Sequence, residues 1–227
     1  DKRFLWDQKD GLGNNYLHQF KHLKDKIKQG ENILILPTQN YLYDPVSVNL
    51  SKKFHPSQNL NYELFSNLKD SIKKKTIIKL FPSKESLFTE KIWLSRFGKK
   101  TKIISSSSQK SIDYFKKAKM VILDDISTAF YELLYLNLPF IIILENLDEF
   151  KEKFKKKLIK LKNLNILFSD PKKAALFLNK NSKSINKWWT KQSKAKNFKI
   201  LKRSLFYEQK NKFDQQFIKE LLKLKRI

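Results

Sequence analysis

The chain has 227 residues, of which 41% are hydrophobic and 13% aromatic, so it can bury a core and does not have the composition of a disordered protein. It has no cysteine, which excludes disulfides and metal–thiolate chemistry. Its formal net charge of +26 puts anionic partners first, whereas its three scattered histidines, His18, His22 and His55, predict no metal site.

The first thirty residues predict a linker and a lead-in helix. Asp1–Asn15 is polar and contains two glycines, which is typical of a linker. Tyr16–Gln29 has apolar residues at helical spacing, and Gly30 follows where a helix often ends in a left-handed residue. We therefore expect the folded domain to begin near residue 31.

Residues 31–180 alternate short apolar runs with helical patterns, which predicts one Rossmann-like domain. The predicted strands are Asn32–Leu36, Thr76–Phe81, Lys102–Ser105, Lys119–Leu123, Phe140–Leu144 and Leu164–Phe168. The predicted helices are Leu60–Lys74, Ser83–Phe97, Gln109–Ala118, Ser127–Leu136 and Pro171–Asn179. This alternation requires crossover connections, so we expect a doubly wound α/β fold with a mainly parallel, six-stranded sheet.

Residues 181–227 predict C-terminal helices that pack on this domain or return from it. The stretch Lys194–Ile227 is amphipathic and basic, which suits packing on the sheet and, as an alternative, contact with a membrane surface. We expect Trp188 and Trp189 to anchor these helices rather than to stack on a ligand. No apolar run approaches the ~20 residues that cross a bilayer.

The segment Lys119–Leu144 carries the strongest candidate site. Ligands of doubly wound sheets bind outside the carboxyl ends of the strands. There Ser127 or Thr128 can cap a helix whose first-turn N–H groups favour a diphosphate. Glu132 lies one turn further on, where a carboxylate can accept hydrogen bonds from ribose hydroxyls. The alternative is a capping residue followed by an ordinary helical glutamate.

Three motifs in chain order resemble a family of bacterial transferases associated with surface-carbohydrate biosynthesis. The block VILDDISTAFYELLYLNLPFIII resembles the acidic, Ser-Thr, x3, Glu, x6, Pro signature of the C-terminal, donor-binding domain of GT-B glycosyltransferases. The sequence IIKLFP, which ends at Pro82, resembles a basic-x-aromatic-Pro strand end, and Asn186–Trp189 a double-tryptophan element. The resemblance runs from about Glu31 to Phe217.

The resemblance implies specific roles for several residues. Ser127 and Thr128 would bind donor phosphate, together with Lys79, which stands where the family pattern has Arg. Glu132 would bind the ribose. The loop Thr38-Gln39-Asn40 would face the same crevice, although Pro37 replaces the glycine-rich turn of many GT-B domains.

The resemblance also implies the reaction and its partners. We expect the nucleotide-sugar-binding half of a glycosyltransferase-like enzyme, a fragment without its acceptor domain. Its partners would be a nucleotide-sugar donor, as substrate rather than cofactor, and a carbohydrate or lipid-linked acceptor. We expect no resident cofactor or metal, and a cytoplasmic protein that can contact the inner face of the membrane. The catalytic residue, donor sugar, base, stereochemistry and oligomeric state are not specified.

Two other function classes stay open. Nearly all the positive charge is lysine, with four arginines, whereas phosphate recognition often exploits the planar fork of arginine. We therefore do not expect specific nucleic-acid binding, but a basic module for nucleic acid or anionic membrane is one alternative. A sugar-nucleotide epimerase-like domain is the other, since that group shares the fold.

Overall fold

The computed structural model describes residues 30–38, 60–81, 86–105 and 111–205. The predicted linker and helix of Asp1–Gln29 lie outside these ranges. The same holds for Gln39, Asn40 and His55, for the predicted start of a helix at Ser83, and for residues 206–227 of the predicted C-terminal helices.

The described residues form one six-stranded sheet in which every paired neighbour is parallel. In chain order the strands are β1 Asn32–Leu36, β2 Thr76–Lys79, β3 Lys102–Ile104, β4 Ala118–Leu123, β5 Phe140–Ile143 and β6 Leu167–Phe168. Their spatial order is β3-β2-β1-β4-β5-β6. The doubly wound prediction is confirmed, and the winding reverses between β1 and β4, which makes that gap the topological switch point.

Helices cover both faces of the sheet. They are α1 over 60–66, α2 Asp70–Lys73, α3 Ser86–Phe97, α4 Ser111–Phe115, α5 Thr128–Leu136, α6 Glu152–Asn163, α7 Pro171–Asn181, α8 Ile185–Lys194 and α9 Lys196–Leu205. Alternate strand residues point to opposite sides, so Val121 and Leu123 join one apolar cluster while Met120 and Ile122 join the other. The first cluster receives α4, α5, α6 and α9, and the second receives α1, α2, α3 and α7. The helix α8 contributes to both, with Trp189 in the first cluster and Ile185 in the second.

The predicted helix Leu60–Lys74 is wrong in one respect, because it is broken into α1 and α2. The apolar positions were correctly assigned, since Tyr62, Phe65, Leu68 and Ile72 are all buried. The break lies at 67–69, where the Asn179 side chain accepts a hydrogen bond from Lys69 N at 2.8 Å. Asn179 also donates to the Asn67 carbonyl at 2.9 Å. A side chain of α7 thus satisfies the backbone groups that the helix would otherwise have paired.

The predicted strand Leu164–Phe168 is also shorter than expected. The helix α6, for which we made no prediction, ends at Asn163, and Asn165 follows with φ 55°, in the left-handed region. The Ile166 N–H donates to the Leu161 carbonyl at 3.0 Å, a bond typical of a helix end. The chain therefore needs residues 164–166 to leave the helix, and pairing with β5 begins at Leu167.

The remaining boundary differences are small. The predicted helix Gln109–Ala118, whose first two residues lie outside the described ranges, ends at Phe115, and Ala118 already belongs to β4. The second and third strands end at Lys79 and Ile104, before the residues predicted. The helix predicted at Pro171 begins there, with Asp170 as its N-cap accepting hydrogen bonds from the amides of Lys172 and Lys173.

The tryptophan pair fastens the C-terminal helices, as the sequence predicted. Trp189 is 4% exposed, and its indole N–H donates to the Asn137 carbonyl at 2.8 Å. Trp188 packs against both apolar clusters, with its ring 5.0 Å from that of Phe177. In the described ranges, no helix combines the length and the apolarity that crossing a bilayer requires.

Candidate functional site

The carboxyl ends of β1 and β4 lie side by side at the switch point. Leu36 pairs with Leu123 in the register of the two strands, so the residues that follow each strand emerge next to each other. These residues are Pro37 and Thr38 after β1, and Asp124 and Asp125 after β4. The site is therefore built from two loops that are distant in sequence and adjacent in the fold.

Asp124 connects these two loops through several hydrogen bonds. The Thr38 N–H donates to both of its carboxylate oxygens, at 2.9 Å to Oδ1 and 3.0 Å to Oδ2. The Thr38 hydroxyl donates to Oδ1. From the first turn of α1, Asn61 Nδ2 donates to Oδ2 at 2.6 Å. One carboxylate thus holds together the end of β1, the end of β4 and the start of α1.

Burial gives Asp124 an unusual acidity. The residue is 4% exposed, and desolvation raises the pKa of its carboxyl from the ordinary 3.8 to about 7. The hydrogen bonds from Thr38 and Asn61 favour the charged form and oppose this rise, whereas the neighbouring Asp125 carboxylate adds to it. The Asp124 carboxyl therefore changes charge near neutral pH, and it accepts hydrogen bonds from Thr38 after β1 and from Asn61 of α1.

The helix α5 begins immediately beyond this carboxylate, with Ser127 at the N-cap position and Thr128 as its first residue. Of the two residues that we expected to cap the helix, Ser127 lies at the N-cap position, but its side chain makes no capping hydrogen bond. Its hydroxyl instead donates to the Asp125 carboxylate and opposes the burial that raises the Asp125 pKa. Because the Ser127 hydroxyl bonds to the acidic turn, its oxygen accepts no capping hydrogen bond from the first-turn amides of α5.

Thr128 and Glu132 lie one turn apart on α5 but differ in accessibility. Thr128 is exposed, while Glu132 is 5% exposed and belongs to the buried residues of the helix. A ligand at the helix start can therefore meet the Thr128 hydroxyl directly. To reach the Glu132 carboxylate, it would have to lie close against the helix.

Lys79 ends β2, the strand beside β1, and is 4% exposed. Its ammonium lies 5.1 Å from the centre of the Tyr114 ring of α4. Burial lowers the pKa of this amine. Within the described part of the chain no carboxylate forms an ion pair with it. A buried cation balanced by an aromatic face is a group whose charge an incoming anion would stabilise.

The structure adds Asp124 and Asn61 to the residues that the sequence singled out. The acidic pair after a buried strand was visible in the sequence, but a local pattern cannot show which loop receives it. Asn61 carried no signal, since it is one of many asparagines and the interpretation of its helix rested on apolar spacing. Among the described residues, no group of three or more His, Asp or Glu side chains comes together in a way that could hold a metal ion.

Comparison with known proteins gives a family match over most of the chain and fold similarity to solved structures. The family model described as "LIC12162 family transferase" matches residues 6–221. No curated protein sequence matches the chain. The crystal structure of WaaG, a glycosyltransferase involved in lipopolysaccharide biosynthesis, superimposes with a TM-score of 0.47 at 9% identity. That superposition covers 87% of this chain and 52% of WaaG, so the chain spans about half of that protein.

Proposed function

Because the chain belongs to the LIC12162 family of transferases, we propose that it binds the nucleotide of a nucleotide-sugar donor in a glycosyltransferase-like reaction. The nucleotide would lie outside the carboxyl ends of β1 and β4. The observation that carries this proposal is the bond between Thr38 and Asp124, because it fixes the two loops at the switch point, directly before α5.

The diphosphate is assigned to the start of α5. The Phe130 amide of the first turn donates to the Ser127 carbonyl at 3.0 Å, so the backbone donors that an anion could meet here are the amides before Phe130. The aligned peptide dipoles place positive potential at this end. Thr128 adds an exposed hydroxyl, and Ser127 is half-buried beside it. An anion here would meet hydrogen-bond donors without displacing a side-chain cap from Ser127.

Lys79 and Glu132 are assigned to the phosphate and the ribose. Lys79 would supply positive charge from the end of β2, at low exposure, where a charge interaction is weakly screened. Glu132 would accept hydrogen bonds from the 2′- and 3′-hydroxyls, one turn beyond the phosphate. With these groups in place, the chain's contribution to the reaction is electrostatic stabilisation of the departing nucleoside diphosphate.

The proposal extends to the acceptor and to the cellular setting of the reaction. We infer a carbohydrate or lipid-linked acceptor of surface-polysaccharide assembly, with the reaction on the cytoplasmic side. This part rests on the sequence resemblance of the Ser-Thr, Glu and Pro block. The groups that bind the acceptor and any catalytic base would lie outside the residues assigned above.

Titration calorimetry with UDP, GDP, CDP and ADP tests the proposal. At least one should bind, and Thr128→Val and Lys79→Met should each weaken its binding about tenfold or more, since each removes a donor to a charged group. Neither variant should alter the binding of the matching nucleoside without phosphates.

The ribose assignment needs a ligand that lacks the ribose hydroxyls. Glu132→Gln should weaken the parent diphosphate but have little effect on its 2′,3′-dideoxy analogue, since the contact is then absent in both proteins. Glu152→Gln, on an exposed glutamate of α6, is the matched control. Equal losses for both ligands would remove the ribose role, and the absence of any diphosphate binding would overturn the whole proposal.

A further inference from the structure

The positive charge of this protein is concentrated in its last described segment. Residues 151–205 contain eighteen lysines and arginines against two acidic residues, Glu152 and Asp170, a net +16 out of the +26 of the whole chain. From Pro171 to Leu205 there are eleven basic residues and no acidic one. Such a long stretch without acidic residues differs from the mixed-charge surface of an ordinary soluble domain.

Three helices of this segment lie together: α6 and α9 cover the same face of the sheet, and α9 packs on both α6 and α8, whose Trp189 joins the apolar cluster of that face. The Lys157 ammonium on α6 donates to the Ser204 carbonyl on α9 at 2.9 Å. On α9, Phe198 and Leu201 are buried in the apolar cluster of this face. The buried side of each helix is therefore fixed, and its lysines are held on the solvent side.

We define the basic face as the solvent-exposed side of α6, α8 and α9. It includes Lys191, Lys196 and Lys199, all exposed. The ion pairs that join described residues lie on other elements or at the start of α6, and none is on α8 or α9. The positive potential of this part of the surface is therefore not locally neutralised by such pairs.

The basic face also exposes two aliphatic side chains. Ile159 on α6 is 42% exposed and Ile200 on α9 is 45% exposed. Ile200 follows Lys199 directly and lies one turn from Lys196, so apolar surface and positive charge are adjacent on the same helix. Lysines that flank exposed aliphatic residues are the combination found on helices that lie in a membrane interface.

We propose that the basic face binds the surface of an anionic lipid bilayer. Lysines near such a surface are attracted by its negative potential, and exposed isoleucines can enter the boundary between head groups and acyl chains. Nucleic acid fits the face less well. Single-stranded nucleic acid is typically held by stacking on aromatic rings, whereas the large exposed apolar residues here are aliphatic, and seventeen of the eighteen cations of 151–205 are lysine.

The basic face is separate from the candidate nucleotide site. The α8 helix is fixed by the Trp189 hydrogen bond to Asn137, the residue directly after α5, whereas the candidate site lies at the opposite end of α5. The nine residues of α5 span roughly 13 Å. Changes on the basic face can therefore be made without touching Ser127 or Thr128.

Vesicle co-sedimentation of the full chain tests the proposal. The protein should bind vesicles of phosphatidylglycerol at moderate salt and bind phosphatidylcholine vesicles at least tenfold more weakly. The triple variant Lys191→Gln, Lys196→Gln, Lys199→Gln should reduce binding to the anionic vesicles about tenfold. Its control removes the same charge from exposed positions at the far edge of the sheet, Lys99→Gln, Lys100→Gln, Lys102→Gln, and should change binding less than twofold.

A second pair of variants tests the apolar contact. Ile200→Gln should weaken vesicle binding several-fold, even at a salt concentration that screens most of the charge. Leu176→Gln is the control, because Leu176 is 67% exposed on α7, which packs on the opposite face of the sheet. Equal effects of the two lysine triples, or no effect of Ile200→Gln, would overturn the proposal. So would tighter binding to an RNA oligonucleotide than to the vesicles at the same salt, since the face would then serve nucleic acid.

Discussion

Thr38 and Asp124 are joined across the switch point of the sheet by the backbone N–H and the hydroxyl of the threonine, both donated to one carboxylate. The two residues are 86 positions apart in the sequence. These hydrogen bonds link the ends of β1 and β4, and the bond from Asn61 links the start of α1 to the same carboxylate. The candidate nucleotide site lies directly beyond these strand ends.

The Asp124 carboxyl should make stability depend on pH. Its folded pKa of about 7 is above the ordinary 3.8, so between these values the folded state holds a proton that the unfolded state has lost. The contribution of this group to stability therefore falls as pH rises from about 4 to about 7, by at most ~4 kcal/mol.

Asp124→Asn removes this titration while its amide oxygen can still accept from Thr38. Urea unfolding between pH 4.5 and pH 7.5 should show a smaller decrease in the free energy of unfolding for Asp124→Asn than for the parent. Parallel pH profiles for the two proteins would contradict the assignment of the raised pKa to Asp124.

Lys79→Met should stabilise the fold while it weakens anion binding. The ammonium is buried and forms no ion pair within the described residues, so an apolar side chain of similar length removes a desolvation cost of about 1 kcal/mol. Thermal unfolding without ligand should give a higher Tm, whereas nucleoside diphosphates should raise the Tm of the variant less than that of the parent. A lower Tm without ligand would show that the cation has a structural partner.

Trp189→Phe should cost more than Trp188→Phe. The Trp189 indole N–H donates to the Asn137 carbonyl, whereas the Trp188 indole nitrogen is buried without a hydrogen-bond partner in the described structure. Losing the first bond costs about 1 kcal/mol beyond the lost packing, whereas removing the second nitrogen relieves a desolvated donor. Chemical denaturation of both variants measures the difference, and a larger loss at Trp188 would contradict it.

Gly30→Ala should be far more damaging than Gly98→Ala. A Cβ at Gly30 would lie 1.8 Å from the Lys117 carbonyl oxygen, so the backbone next to β1 and β4 would have to move. At Gly98 the same atom meets open space, and the cost is that of the left-handed φ of 85°, ~1 kcal/mol. We expect Gly30→Ala to lose about 3 kcal/mol or more, measured by urea unfolding. Similar losses for both variants would show that the backbone at Gly30 adjusts easily.

The sequence by itself determined the layers of this fold and where its candidate site begins. Buried strands read as continuous apolar runs and helices as apolar residues at helical spacing, and these are local consequences of backbone geometry. The Ser-Thr pair after the fourth run marked the start of α5 in the same way. The two tryptophans were recognisable as anchors because large aromatic side chains gain most when buried.

Only the tertiary structure decided which distant groups meet. The pairing of β1 with β4, the contact of Asp124 with Thr38 and Asn61, and the break between α1 and α2 all depend on residues more than sixty positions apart. Hydrogen bonds of this kind leave no periodic trace, since a donor and an acceptor need only be brought together once by the packing of the sheet. The apolar pattern therefore specified the strands and helices, and their packing buried the Asp124 carboxylate at the carboxyl ends of β1 and β4.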